Sequence, residues 1–308
     1  MNNSINIISN QTSIVRPLRS LLFVPGDSER KLQKAIDSGA DALILDLEDA
    51  VSPMRTHIAR EMVLDYLKSR PDRSKQQLWV RINPLSSPAS LLDLRIVAGA
   101  PDGILLPKVE SHLDVTRLSD FLDALEVREG VIKQSIRIIP VATETPQSLF
   151  KLGSYLGCSP RLAGLTWGAE DIAAALGAST NRKANGEYDT VYRLACALCL
   201  AGAVAAEVQP IDTIYADYSD NEGLAQDAKV ARQSGFTGKI AIHPNQVETI
   251  NEAFSPGATE IEWAMKVVNL FDSNPDLGTV GLDGKMLDMP HLKQAQKIIE
   301  MSKVFGSV

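Results

Sequence analysis

The chain has 308 residues, a formal net charge of −7 and 44% hydrophobic residues, enough for one large core or two smaller ones. Its acidic balance excludes a broad nucleic-acid surface and leaves room only for a local basic pocket that takes a phosphorylated ligand. The longest apolar run, Leu194 to Ala206 between Arg193 and Glu207, is too short to span a bilayer, so no membrane partner and a cytoplasmic location are expected.

The opening stretch, MNNSINIISNQTSIV, carries no Lys or Arg before its short apolar patch. It therefore does not read as a signal peptide, and residues 1–18 are expected to form a disordered leader. Eight strand signals follow in order: RSLLFVPG, DALILDLED, QLWVRIN, GILLPKVE, IRIIPVATET, LAGLTWGAED, IDTIYADY and KIAIHP. Each is a short apolar run closed by Gly, Pro or polar residues, as expected for strands of a parallel sheet covered on both faces. Helix starts follow most of them, at Ser52-Pro53, at Ser111 with Asp114 three residues on, and at Thr145-Pro146. Eight strand–helix units within about 250 residues fit a TIM (β/α)8 barrel, placed at residues 19–254, better than an open sheet. No GxGxxG follows the first strand and no GxxxxGK[ST] occurs, which removes the main support for dinucleotide and P-loop binding.

Residues 255–308 exceed what the barrel needs. ATEIEWAMKVVNLF and HLKQAQKIIEMSKVF read as helices, and SNPDLGTVGLDGKM as a loop or hairpin between them. The three cysteines, Cys158, Cys196 and Cys199, lack the partners a zinc site needs and read as small core residues.

The stretch LILDLEDAV poses the functional question, since it begins as a core strand and ends in Asp46, Glu48 and Asp49. In a barrel, polar groups at the C-terminal ends of strands gather around one mouth. Arg81, Lys108, Glu110, Glu144, Asp171 and His243 hold equivalent positions, so charged groups converge there. Carboxylates without a histidine cluster favour a hard divalent cation, Mg2+ first, held by one or two acids. Glu144 and Asp171, at the ends of adjacent strands among the small residues Ala142, Gly168 and Ala169, are the best pair. Arg81, Lys108 and Lys31 are placed to hold a carboxylate, a phosphate or a developing oxyanion. Plainer roles stand beside these: a helix cap for Asp49, neutralisation of Arg81 by Glu48, a cap or packing role for His243. For the Pro25-Gly26-Asp27-Ser28 turn, a helix cap and a phosphate site remain open.

The motifs RSLLFVPGDSERKLQKA, LILDLEDAV, WVRINPL, GILLPKVES, PVATETPQSL, LTWGAEDIAAALGA, AIHPNQ and GKMLDMPHLKQA together resemble the citrate lyase β-subunit-like proteins of the HpcH/HpaI aldolase superfamily, which include the malyl-CoA and citramalyl-CoA lyases. The resemblance runs from Arg19 to the last helix. It implies a TIM barrel with a C-terminal helical extension, Mg2+, a CoA-thioester substrate, and a homotrimer or dimer of trimers. Position by position it implies Glu144 and Asp171 as metal ligands, Arg81 facing the reacting oxygens, and Glu48 orienting Arg81. It further implies Lys31, Arg30 and Lys108 as CoA-contacting positions, and Asp288 as an acid inserted into a neighbouring subunit's site. From spacing alone, Asp288 before Pro290 reads as a cap of the last helix; the resemblance reverses that.

The activity so implied is cleavage of citramalyl-CoA to acetyl-CoA and pyruvate, in the breakdown of itaconate or a related branched dicarboxylate. A malyl-CoA lyase or thioesterase, a citryl lyase β subunit of a citrate lyase complex, and an inactive scaffold are the alternatives. The last is disfavoured because a scaffold has no reason to keep costly charges together.

Overall fold

The computed structural model describes residues 17–306, so most of the expected leader lies outside the described residues. Leu18, counted with that leader, belongs to the fold instead. It is buried, and its backbone N–H and carbonyl pair with the Gln209 side chain at 3.1 and 2.7 Å.

The eight apolar runs form parallel strands: β1 (Ser20–Pro25), β2 (Ala42–Asp46), β3 (Gln77–Arg81), β4 (Gly103–Leu106), β5 (Arg137–Pro140), β6 (Gly164–Thr166), β7 (Gln209–Asp212) and β8 (Gly238–Ala241). They hydrogen-bond in the order β5-β4-β3-β2-β1-β8-β7-β6. Parallel bridges between Ile138 and Leu162, and between Val141 and Thr166, close the ring. The result is a TIM barrel.

Alternation along each strand sorts its side chains into two apolar bodies. Leu43, Leu45 and Leu47 pack outward against the helices, with Leu22, Val24, Leu78, Val80 and Ile104. Ala42 and Ile44 pack inward with Leu21, Trp79, Leu105, Ile139, Val141 and Ile240. Asp46 continues the inward row of β2 and Arg81 that of β3, and the two are register partners. Apolar burial inside the ring thus gives way to charge at its upper rim.

The helices of the outer layer are α1 (Glu29–Ile36), α2 (Thr56–Ser69), α3 (Ala89–Asp93), α4 (His112–Glu129), α5 (Glu170–Leu176), α6 (Thr190–Ala205), α7 (Asn221–Ser234) and α8 (Val247–Phe254). The Ser111 and Asp114 signal is a capping box on α4. Ser52-Pro53 opens a 3-10 turn that leads into α2. The helix expected after Thr145-Pro146 is absent: two 3-10 turns, Ser148–Phe150 and Leu152–Ser154, fill the connection. Gly153 and Gly157, the latter at φ +68°, interrupt a segment too short to nucleate an α-helix.

The C-terminal extension consists of α9 (Ala258–Asp272), the antiparallel hairpin β9 (Thr279–Leu282) and β10 (Lys285–Asp288), and α10 (Met289–Phe305). Asp283 and Gly284, both at positive φ, make the two-residue turn that such a hairpin favours. The extension has its own core of Ile261, Val267, Phe271, Val280, Leu287 and Ile298. The Arg232–Glu260 ion pair at 2.7 Å and Arg19, stacked 4.2 Å over the Phe305 ring, fasten it to the barrel. Cys199 is buried in the main core with Cys196 packed against it, and burial raises both thiols, Cys196 to about 12.

Candidate active site

Adjacent β2 and β3 end in one fixed unit. Arg81 donates through Nε and Nη2 to the two oxygens of Asp46, both at 2.7 Å. Asp46 is fully buried, and its oxygens also accept the N–H groups of Glu48 and Ala50 at 3.0 and 2.9 Å. This fork sets both the guanidinium plane and the loop after β2. The Arg81 carbon stacks 4.5 Å over Phe23, and Nη1 faces Glu48 Oε2 at 3.3 Å. Burial alone would lower the pKa of Arg81; the hydrogen bonds and charge of Asp46 more than offset it and keep the side chain cationic. Asp46, rather than Glu48, is therefore the principal acid orienting Arg81, with Glu48 second.

Across the mouth, Thr143 pins β5 to the loop after β6: its hydroxyl accepts the Gly168 N–H at 3.0 Å and contacts the Gly168 carbonyl at 3.2 Å. Glu144 follows directly, and Asp171 stands in the first turn of α5. Glu144 is buried, and its Oε2 accepts the Lys108 N–H at 2.6 Å. Burial first, then the charge of Asp171, push the Glu144 carboxyl up to about 8. Burial likewise raises Glu48. A Cβ on Gly168 would stand 3.2 Å from Glu144 Cγ and 3.4 Å from Oε1, so the glycine keeps space open beside this carboxylate. Two neighbouring acids next to that space fit a divalent cation held by Glu144 and Asp171. Among the described residues no group of three or more His, Cys, Asp or Glu converges as a metal cage.

The Lys108 ammonium lies inside this cluster. It is 2.6 Å from Glu48, 3.2 Å from Asp49 and 3.3 Å from Asp171. It is committed to carboxylates and is not among the groups that line the neighbouring cavity. The resemblance placed it as a CoA-contacting position; within this chain its ammonium contacts Glu48, Asp49 and Asp171.

The cavity measures about 550 Å3. Arg81, Glu144 and Asp171 open onto it, Phe23, Val141, Trp167, Ile214 and Ile240 give it apolar walls, and Arg30, Lys31 and Lys34 of α1 line one side. Trp167 is fixed by its Nε1–H, which donates to Asp212 at 2.7 Å. His243 also lines the cavity, but its Nδ1 accepts the Asn245 N–H at 3.2 Å and its ring stacks on Tyr218, in keeping with the capping role. Asp288 is not in this cavity. It occupies the N-cap position of α10, where its N–H donates to His291 Nδ1 at 3.2 Å and its Oδ1 lies 2.5 Å from the same nitrogen.

The mouth thus unites Glu48, Arg81, Lys108, Glu144 and Asp171, with Arg30 and Lys31 alongside. Lys34 and Trp167 are site residues that the sequence reading missed, and Asp46 is one that it placed at the mouth without a role. The inward parity shared by Asp46 and Glu48 was the available signal for Asp46, and the one-turn spacing from Arg30 and Lys31 for Lys34.

Residues 19–244 match the HpcH/HpaI aldolase/citrate lyase family. The chain belongs to this family of lyases. The mitochondrial citramalyl-CoA lyase of Rattus norvegicus is 33% identical over 301 residues, covering 93% of this chain and 86% of that protein. The citrate lyase subunit beta of Haemophilus influenzae is 32% identical, covering 92% and 97%. Among solved structures, the CitE protein of Mycobacterium tuberculosis in complex with magnesium, acetoacetate and coenzyme A superposes with a TM-score of 0.78 at 29% identity, covering 94% of this chain and all of that one. No helix among the described residues is long and apolar enough to cross a membrane.

Proposed function

We infer that this family member is a Mg2+-dependent carbon–carbon lyase that cleaves citramalyl-CoA to acetyl-CoA and pyruvate. The observation that carries the reading is the pair Glu144 and Asp171 beside Arg81, opening onto an apolar-walled cavity with a basic ridge along one side. The ridge of Arg30, Lys31 and Lys34 suits the phosphates of a CoA ester. Magnesium in this lyase's CitE neighbour supports the choice of metal.

Bound at Glu144 and Asp171, the ion would supply Lewis-acid polarisation of the hydroxyl and carboxylate oxygens of the substrate head. Arg81, held rigid by Asp46, stabilises the negative charge that develops as the carbon–carbon bond breaks, an effect worth about 3 kcal/mol. The electron pair of that bond passes to the thioester as an enolate. The hydroxyl loses its proton, the enolate carbon gains one, and the reaction is proton-neutral. We assign delivery of the second proton to Asp288 from a neighbouring copy in a homo-oligomer, a role worth about 10²–10⁴-fold.

Charge balance supports a citramalyl over a citryl substrate in this reading. Among the described residues, Asp46, Glu48, Asp49 and Asp171 form their ion pairs at the mouth with Arg81 and Lys108, and Glu144 lies beside them. One divalent ion leaves that set negative, which disfavours a second carboxylate on the keto acid beside it. Phe23, Val141, Ile214 and Ile240 instead offer a methyl group an apolar seat. Malyl-CoA is the second reading, because one methyl changes preference by only about 1–3 kcal/mol.

Incubating the purified chain with citramalyl-, malyl- and citryl-CoA, with Mg2+ or with EDTA, tests the assignment. Prompt release of acetyl-CoA and pyruvate from citramalyl-CoA, abolished by EDTA, is the expected result; faster turnover of citryl-CoA, or no release from any of the three, refutes it. Asp288→Asn keeps a good helix cap and is expected to slow turnover at least about a hundredfold with an unchanged melting temperature. Normal turnover would return Asp288 to capping alone.

A further inference from the structure

Lys108 has a backbone φ of +51°, in the left-handed region that a lysine adopts only under constraint. From that turn it reaches both acids of the pair. Its N–H donates to Glu144 at 2.6 Å, while its ammonium stands 3.3 Å from Asp171. Among the described residues it is the one cation in ion-pair contact with Asp171.

Its contacts are unequal. The ammonium hydrogen-bonds to Glu48 at 2.6 Å and to Asp49 at 3.2 Å, but it meets Asp171 only as an ion pair without a hydrogen bond. The Asp171 contact can be surrendered while the other two hold the side chain in place. With no divalent ion bound, removing this ammonium would leave Asp171 beside Glu144 without its contacting cation. With the ion bound, an ammonium at the same place would repel it.

We propose that Lys108 is a stand-in cation: its ammonium neutralises Asp171 until a divalent ion arrives, then withdraws to Glu48 and Asp49 while its N–H continues to hold Glu144. It acts through Glu144 and Asp171 and is a positioning residue. It keeps the acid pair ordered before loading and weakens metal affinity, since each ion must displace it. The proposal rests on the magnesium site inferred above.

Calorimetric titration of Mg2+ into the metal-free, full-length protein tests it, with melting temperature as a second readout. Lys108→Met removes the ammonium and keeps most of the aliphatic stem. Lys108→Gly also preserves the N–H donor and suits the left-handed backbone, which guards against misfolding. Both variants are expected to bind Mg2+ at least about tenfold more tightly than the parent and to show a larger Mg2+-induced rise in melting temperature. Equal or weaker affinity in both variants overturns the stand-in role. Glu144→Gln in the same titration separates the two readings. If it binds Mg2+ like the parent, the metal site and the stand-in role fall together; if it loses Mg2+ while both Lys108 variants match the parent, the stand-in role alone falls.

Discussion

Two clusters of buried charge occupy opposite ends of the barrel, and they are built for different ends. At the base, Arg161 is fully buried and donates to Glu126 at 2.7 and 2.6 Å, to Asp123 at 2.5 Å and to the Ile136 carbonyl at 3.0 Å. Glu126 also accepts the N–H groups of Gln134 and Ile136. Burial pushes Glu126 up, yet Arg161 and those amides outweigh it, and both Glu126 and Asp123 lie below their usual range. At the mouth, Glu48 and Glu144 lie above theirs despite Arg81 and Lys108. Burial is common to both ends, so it does not distinguish them. What differs is whether the protein supplies enough donors of its own. The acids of the base cluster find their donors within the chain, whereas those of the mouth are short of positive charge, as expected where a ligand completes the site.

Substitutions at the two ends should therefore fail differently. Arg161→Met strands Glu126 without its cation and should remove about 3–5 kcal/mol of stability in urea unfolding. Adding Glu126→Gln to the same chain should recover part of it; no recovery would mean that Arg161 contributes mainly through packing. Arg81→Lys keeps the charge but loses the two-pronged contact with Asp46. It should lower kcat by about 10²–10³ with an unchanged unfolding midpoint, and a matching loss of stability would erase the contrast between the ends. Glu144→Gln should weaken Mg2+ binding at least about tenfold, or about 1.4 kcal/mol, without lowering the melting temperature of the metal-free protein. Lys34→Ala, on the exposed ridge, should raise KM for the CoA ester only several-fold, about 1 kcal/mol. Added salt should shrink the difference.

Much of this contrast was legible in the sequence. Near-continuous apolar runs such as LILDL and GILLPK become strands because burial on both faces selects them. The acids and bases that end those runs mark the mouth. What could not be read was register. Asp46 and Arg81 meet because β2 and β3 align those two positions, and a single chain carries no trace of that alignment, so Glu48 drew the role that Asp46 chiefly fills. Local backbone geometry was equally hidden. Lys108 looked like a long cationic arm for a ligand, but a left-handed turn folds it back among the acids. Thr145-Pro146 carried a genuine helix-start signal, which the glycines downstream overrode. Arg161 drew no notice because a basic residue between strands is ordinary until its burial is known.

The ring of strands is not equally sewn all the way round. β1 and β2 share five register partners, whereas the backbone ladder between β5 and β6 consists of isolated bridges, Ile138 with Leu162 and Val141 with Thr166. Glu144 lies on one side of this thin seam and Asp171 on the other. Any ligand that grips both side chains therefore acts as a stitch across the seam. Amide exchange at Ala142 and Ala163, whose N–H groups cross it, should slow when the site is loaded, while the β1–β2 amides stay as they were.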